Sequence, residues 1–408
     1  MNKNICKKIA EVAVKIGVNL QKGQDAVIFI SPKQNALAQA IVKECYKNGA
    51  RKVSVEFTDE EITKLKYRYE KMETLKDIPE WEVMKFKQRS EDLPVLIHVE
   101  DDDPDAYAKL NMKKINAARV AKMQKIKAYR EKESLYNQWT IIAVPSSKWA
   151  KKVFPNEPSK KAEKLLLDAI LKTTRLDNDN PFEAWEKHIA NLKEKAKLLN
   201  ELNLDYLVYK SSNGTNLKIH LQPNHIWLSA RSKNLKGIDY CANLPTEEVF
   251  TMPKRDGVDG VVYSTKPLSY NGKVIEDFKV YFEKGRIIKV EAKKNEDVLL
   301  EAINTDEGSH YLGEVALVPF SSPINQTGIL FFNTLFDENA SCHLAFGEAY
   351  EDTVKGYENM TKEDLKNIGF NESLIHVDFM VGSQDLDIVG YDFLGQAHQI
   401  FRNGEWSI

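Results

Sequence analysis

Short apolar runs separated by helical stretches fill the first half of the chain and restrict it to few architectures. Asp25–Ile30 has strand length and is followed by a helical stretch, Asn35 to Asn48, with Leu37, Ile41 and Val42 on one face. The turn Asn48-Gly49 leads to a second strand, Lys52 to Phe57, and Val95 to Val99 and Thr140 to Val144 are two more. Strands alternating with helices favour a parallel sheet with helices packed on its faces. A helical tract, Phe182 to Leu202, then acts as a bridge, and beyond it the pattern changes. Tyr206 to Tyr209, Asn216 to Leu221, Ile226 to Ser229, Val258 to Ser264, Phe278 to Glu283 and Arg286 to Ala292 are β-rich, and Asn213-Gly214, Asn271-Gly272 and Lys284-Gly285 supply turns. At 408 residues the chain exceeds one ordinary core. The expected fold is an α/β N-terminal domain with a mainly parallel sheet, residues 1–215, and an α+β C-terminal domain with a mostly antiparallel curved sheet, residues 216–408; the junction falls near residues 200–235.

Charge and cysteine usage exclude several classes. Basic side chains number 58 and acidic ones 60, a net charge of −2, so no nucleic-acid or membrane footprint covers the protein. Lys113 to Lys132 is rich in Lys and Arg, but apolar residues interrupt it, the pattern of a solvated helix face rather than a site for acidic partners. The acidic run Glu100 to Asp105 reads as a strand-to-helix loop with capping carboxylates. Cys6, Cys45, Cys241 and Cys342 are scattered without a CxxC pair, as expected of reduced thiols. The N-terminal stretch is amphipathic, with Ile5, Ile9, Val12 and Ile16 at helical spacing, and is no signal peptide. No segment approaches the roughly 20 apolar residues that span a bilayer. These features predict a soluble, cytoplasmic protein.

Six of the eight histidines lie beyond residue 200, together with the acidic clusters of metal-ligand spacing. In Thr246-Glu247-Glu248-Val249 two adjacent glutamates enter a β-branched stretch, and in a strand only one can face a given site. In Gly313-Glu314-Val315-Ala316-Leu317 a carboxylate is embedded in apolar sequence, which demands a cationic partner, a strand-end position or a metal. In Leu335 to Tyr350, Asp337 or Asn339 can cap a helix starting near Ala340. On that helix His343 and Tyr350 share a face, while Cys342 points away and serves packing. In His376-Val377-Asp378, strand spacing puts the imidazole and the carboxylate on one face, as metal ligands or as a hydrogen-bonded pair. Taken together, Glu248, Glu314, His343, His376 and Asp378 offer oxygen and nitrogen but no sulfur, a set suited to Zn²⁺, Co²⁺ or Mn²⁺ in an open catalytic site. The carboxylates exceed what one ion requires. Two ions about 3.5–4 Å apart, sharing a water and one bridging carboxylate, fit the set better.

The stretches NLPTEEVFT, LGEVALVP, LFDENASCHLAFGEAY and HVDFMVGS closely resemble, in order and spacing, the thermophilic-type metalloaminopeptidase family that includes aminopeptidases T, S and II. The resemblance implies metal ligation by Glu248, Glu314, His343, His376 and Asp378, a metal-site role for Glu338 and a catalytic role for Tyr350. It further implies two divalent ions per chain (Zn²⁺ or Co²⁺, with Mg²⁺ or Mn²⁺ compatible) in a two-domain, homodimeric, cytoplasmic enzyme that acts on peptides with a free N-terminus. The expected mechanism is attack of a metal-activated water on the first peptide bond, with Glu248 or Glu338 as base and Tyr350 donating a hydrogen bond to the oxyanion. The competing readings are another two-metal hydrolase, of amide or phosphate-ester substrates, and a metal-binding protein without catalysis. No P-loop and no Arg-rich cluster adjoins the motifs to favour phosphate.

Overall fold

The computed structural model describes every residue from Met1 to Ile408 except Asp102. The chain forms two compact units: Met1–Lys187 with Arg231–Pro245, and His188–Ala230 with Thr246–Ile408. The first is α/β. Its parallel strands β1 (Asp25–Ile30), β2 (Lys52–Phe57), β3 (Val95–Glu100), β4 (Trp139–Ala143) and β5 (Asn243–Leu244) are arranged in the order β2-β1-β3-β4-β5. Alternation explains β1: Ala26, Ile28 and Ile30 are buried on one face, while Phe29 on the other stacks flat on His98, its register partner in β3. The helix Asn35–Lys47 leads from β1 to β2, and Met112–Tyr136 leads from β3 to β4. Asn111 caps the latter, its side chain accepting from Lys114 N at 3.2 Å, so the cap is an amide and not one of the carboxylates expected from the acidic run. Of that run, Asp102 lies outside the described residues.

The helix Pro181–Leu202 carries the chain from the first unit into the second, which is dominated by two antiparallel sheets. The larger has nine strands. Its path runs Leu268–Tyr270, Lys273–Glu283, Pro253–Tyr263, Asn216–Leu221, Leu204–Lys210, Asp387–Asp392, Ala397–Arg402 and Glu405–Trp406, with Arg286–Lys294 paired to Lys273–Glu283. Ile226–Ser229 does not join it as a strand. Leu228 makes a single antiparallel bridge to Phe250, and Trp227 is tied instead to Asn200, its N–H donating to Oδ1 at 2.9 Å. The smaller sheet has four strands in sequential order: β6 (Val249–Thr251), β7 (Leu312–Leu317), β8 (His343–Gly347) and β9 (His376–Met380). All of β7 and β8 is buried, which accounts for their largely apolar sequence, interrupted by Glu314 and His343: both faces are covered, and no polar alternation is required. Among the described residues no helix is long and apolar enough to cross a membrane.

Candidate metal centre

Strand register gathers the polar residues of the four-stranded sheet onto one face. Glu314 of β7 pairs with Ala345 of β8, which pairs with Asp378 of β9, so one methyl separates two carboxylates across three strands. In the row on one side of it Ala316 pairs with His343 and His343 with Met380; in the row on the other side Gly347 pairs with His376. Side chains two residues apart share a face. The face therefore holds Glu314, His343, His376 and Asp378 above a floor of Ala316, Ala345 and Gly347, small enough to leave room for ions. Phe250 of β6 pairs with Ala316, and Glu248 lies two residues before Phe250 on the same side. Gly347 has φ +110°, and an added Cβ would lie 2.0 Å from Ile375 O, so no other residue fits beneath His376.

The segment around His343 is a strand, not the expected helix. A short helix, Thr334–Asp337, and a 3₁₀ turn, Glu338–Ala340, come first, and the chain is extended by Ser341. Its Ala and Leu content is compatible with a helix, but ladder pairing to β7 and β9 on both sides decides the outcome. Asp337 does not cap a helix either. Its carboxylate accepts from Phe331 N and Asn333 N, at 2.8 and 3.0 Å. His343 and Tyr350 come to the same neighbourhood by strand and loop: the Tyr350 ring lies 4.8 Å from that of His376 and 6.1 Å from that of Phe250.

Potential ligand atoms converge in two groups, Glu248–Glu314–His343 and Glu314–His376–Asp378, with the atoms of each within 4.8 Å of one another. Glu314 belongs to both. His343 Nε2 is 3.1 Å from Glu248 Oε2, and His376 Nε2 is 3.1 Å from Glu314 Oε2 and 3.2 Å from Asp378 Oδ1. Each imidazole is fixed through its other nitrogen. Nδ1–H of His376 donates to Glu348 O at 2.7 Å and Nδ1–H of His343 to Ser341 O at 3.2 Å, which leaves both Nε2 lone pairs facing the carboxylates. Glu338 belongs to neither group. It lines a small space with Asp378 and Met380, and Asn339 Nδ2 donates to it at 3.3 Å.

The electrostatics of this face call for cations. Glu314 is 4 % and His343 1 % exposed, and among the described residues no Lys or Arg forms an ion pair with Glu248, Glu314, Glu338 or Asp378. Burial raises the Glu314 pKa despite the opposing pull of His376. Burial, then the charges of Asp378 and Glu248, hold Glu338 well above the usual carboxylate range. Burial alone would lower His343, but contact with Glu248 and the charges of Asp378 and Glu314 carry it up to about 10. Left to themselves these groups bind protons to offset the repulsion. Divalent cations offset it better, and the donors fit them: carboxylate oxygens and neutral imidazoles, oriented by backbone carbonyls.

Two residues outside the sequence-based set steady the Glu247-Glu248 turn. Asn339 Oδ1 accepts from Glu247 N at 2.7 Å, and the His188 ring Nε2–H donates to Thr246 O at 2.8 Å while lying 3.6 Å from Glu247. His188 is remote in sequence and on a helix, so no local pattern marks it. Cys342, whose thiol is pushed up to about 12 by burial, donates to Val318 O at 3.3 Å and is a packing residue. Tyr350 keeps 43 % of its surface exposed. Desolvation, then the charges of Glu314, Asp378 and Glu338, hold its phenol well above the ordinary pKa, so the hydroxyl stays protonated and able to donate a hydrogen bond.

Comparison with known proteins assigns the chain as a whole to a family. The model of the thermophilic metalloprotease (M29) family matches residues 2–406. The chain belongs to that family. It is 46 % identical over 399 residues to aminopeptidase AmpS of Bacillus subtilis, covering 98 % of this chain and 97 % of the relative. It is 36 % identical over 403 residues to aminopeptidase T of Thermus thermophilus, with 98 % of each covered. The solved structure of wild-type AmpT from Thermus thermophilus superposes with a TM-score of 0.91 at 35 % identity, covering 100 % of both chains. The fold of this family member is thus the expected one: a parallel α/β sheet in the N-terminal part and antiparallel sheets in the C-terminal part.

Proposed function

We propose that this family member is a metal-dependent aminopeptidase that removes the N-terminal residue of peptides, using two divalent ions held by Glu248, Glu314, His343, His376 and Asp378. The observation that carries this reading is the pair of overlapping ligand groups with Glu314 common to both. A shared carboxylate suits a bridging role, and zinc or cobalt suits the donors, with magnesium or manganese also compatible. The names of the relatives, aminopeptidases all, supply the reaction class. When bound, such ions acidify a water and polarise a carbonyl oxygen.

The chain's own groups do the rest. Glu338 stands outside both ligand groups yet faces the same space as Asp378, so it is free to take the proton of the attacking water and pass it to the departing amine. Glu248, fixed against His343, is the weaker candidate for that task. Tyr350 donates its phenolic hydrogen to the oxyanion that forms at the scissile carbonyl. The surplus of carboxylates favours a substrate whose α-amine is free and cationic, and so favours an exopeptidase. As the resemblance implies, the enzyme works as a cytoplasmic homodimer. Paired assays on a free and an N-acetylated peptide test the reading: cleavage of the free peptide alone supports it, and equal cleavage of both removes the exopeptidase assignment.

A further inference from the structure

The first unit holds a cavity of about 980 Å³ on the face of the parallel sheet that carries Phe29 and His98. It is open to solvent on one side and has the size of a small-ligand pocket. Its position has a topological cause. From β1 the chain turns outward to β2, then returns to place β3 on the other side of β1, so the loops after β1 and β3 diverge and open a crevice at their carboxyl ends. Ser31, Glu100 and Asp101 line the opening, Leu96, Trp139 and Ile141 form the floor with Phe29 and His98, and the helix Met112–Tyr136 supplies Arg130 and Glu133 along the wall.

The polar groups are segregated along the strand direction. At the carboxyl end, Asp101 accepts from Gln34 Nε2 at 3.0 Å and interacts with the Ser31 side chain; Lys33 acts on it through its charge, but among the described residues no Lys or Arg is ion-paired with it. The acids beside it, Glu60 and Asp103, already face Lys64, at 2.7 and 3.6 Å. Deeper in, the buried Glu133 is shared by two guanidiniums: Arg89 binds it through Nε and Nη2, and Arg130 reaches it with one 3.4 Å contact. Arg130 thus keeps donors for a second anionic group. Between the two ends, the His98 imidazole makes no hydrogen bond to any described residue. Burial, then the charges of Arg130 and Arg89, lower its pKa to about 4, so it is neutral and offers one donor and one acceptor, the complement of a peptide group.

We propose that this cavity binds a short peptide with both termini free, its ammonium at Asp101, its carboxylate at Arg130 and its backbone against His98. Asp101 follows the last residue of β3 and lies three residue steps from His98, a rise of about 10 Å; Arg130 lies near enough to His98 for its charge to act there, and an extended tripeptide spans about the same length. Phe29 and Trp139 provide an apolar surface for its side chains. An anionic ligand such as a nucleotide is disfavoured because acidic residues lining the cavity outnumber basic ones. The site is assigned without reference to the metal centre and stands or falls independently of the aminopeptidase reading.

The test is calorimetric titration of the metal-stripped full-length chain, in chelator, with the tripeptide Ala-Phe-Ala, conditions under which turnover does not intervene. The expected result is one binding site per chain, weakened at least tenfold by Arg130→Ala, by Asp101→Asn and by acetylating and amidating the peptide's ends, but retained in Glu314→Gln. Melting curves check that the variants remain folded, and the blocked peptide needs no variant at all. The proposal is overturned by an absence of binding at millimolar peptide, by equal binding of the blocked peptide, or by binding of ATP in preference to the peptide. It is overturned equally if Glu314→Gln abolishes binding while the cavity variants bind as wild type, because the peptide then occupies the other site.

Discussion

Replacing Glu314 by Gln should have opposite effects with and without metal. In the metal-free protein desolvation, aided by the charges of Glu248 and Asp378, outweighs the pull of His376 on the Glu314 carboxylate, so neutralising it removes a penalty and leaves the melting temperature unchanged or slightly higher. In the metal-loaded protein the same change deletes the only side chain common to both ligand groups. Metal at 100 times its dissociation constant stabilises by about 2.7 kcal/mol, and a 100-fold loss of affinity reduces that to about 0.4 kcal/mol. For a unit of roughly 200 residues, each kcal/mol moves the melting temperature by about 2–4 °C, so the metal-dependent shift should fall from about 5–10 °C to about 1 °C. Scanning calorimetry of wild type and variant, each stripped and then reloaded with Zn²⁺ or Co²⁺, gives all four values. A variant that keeps the full metal-dependent shift, or that is strongly destabilised when metal-free, would show that Glu314 is a structural acid and not a shared ligand.

Other expectations follow from the same geometry. Tyr350→Phe should retain metal, measured by elemental analysis, and lower kcat by about 10²–10³-fold with little change in KM, the loss typical of one oxyanion donor. Glu338→Gln should likewise retain both ions and lose most turnover; if both ions are lost with it, Glu338 is a ligand and the base lies elsewhere. Ala345→Leu fills the space between Glu314 and Asp378, so it should abolish metal loading at a cost of about 1–3 kcal/mol in the metal-free protein. In the first unit, the His98 pKa is lowered to about 4, below the unfolded value of about 6.5. The unfolded chain therefore binds the extra proton, and this contribution is present above pH 6.5 and lost as the pH falls toward 4. Between pH 7 and 4.5 it amounts to about 2 kcal/mol. Denaturant melts of His98→Phe should show that much less pH dependence than wild type, and an unchanged profile would remove the assignment.

The sequence discloses these features unequally, for physical reasons. The strands β1 and β2 are visible because their apolar runs are bounded by turns and separated by a helix of clear period. The pairing of His376 with Asp378 is visible because strand period alone puts both on one face. Around His343 local preference and tertiary context conflict, so a strand forced by two neighbours reads as a helix. Ile226–Ser229 errs in the other direction, its β-forming residues finding one bridge and no ladder. The floor of Ala316, Ala345 and Gly347 has no signature of its own, because small residues become meaningful only once register places them beneath the ligands. The cavity beside His98 is equally silent in the sequence, since it arises from the order in which parallel strands are laid down.

The central claim is tested most directly by amino-acid release from a short free-amine peptide, compared across metal-free protein, protein reloaded with Zn²⁺, Co²⁺ or Mg²⁺, and the same peptide N-acetylated. The account predicts no release without metal, restored release with it, and none from the acetylated peptide. Failure of every metal to restore cleavage, or cleavage of amides or phosphate esters in preference to peptides, would contradict it.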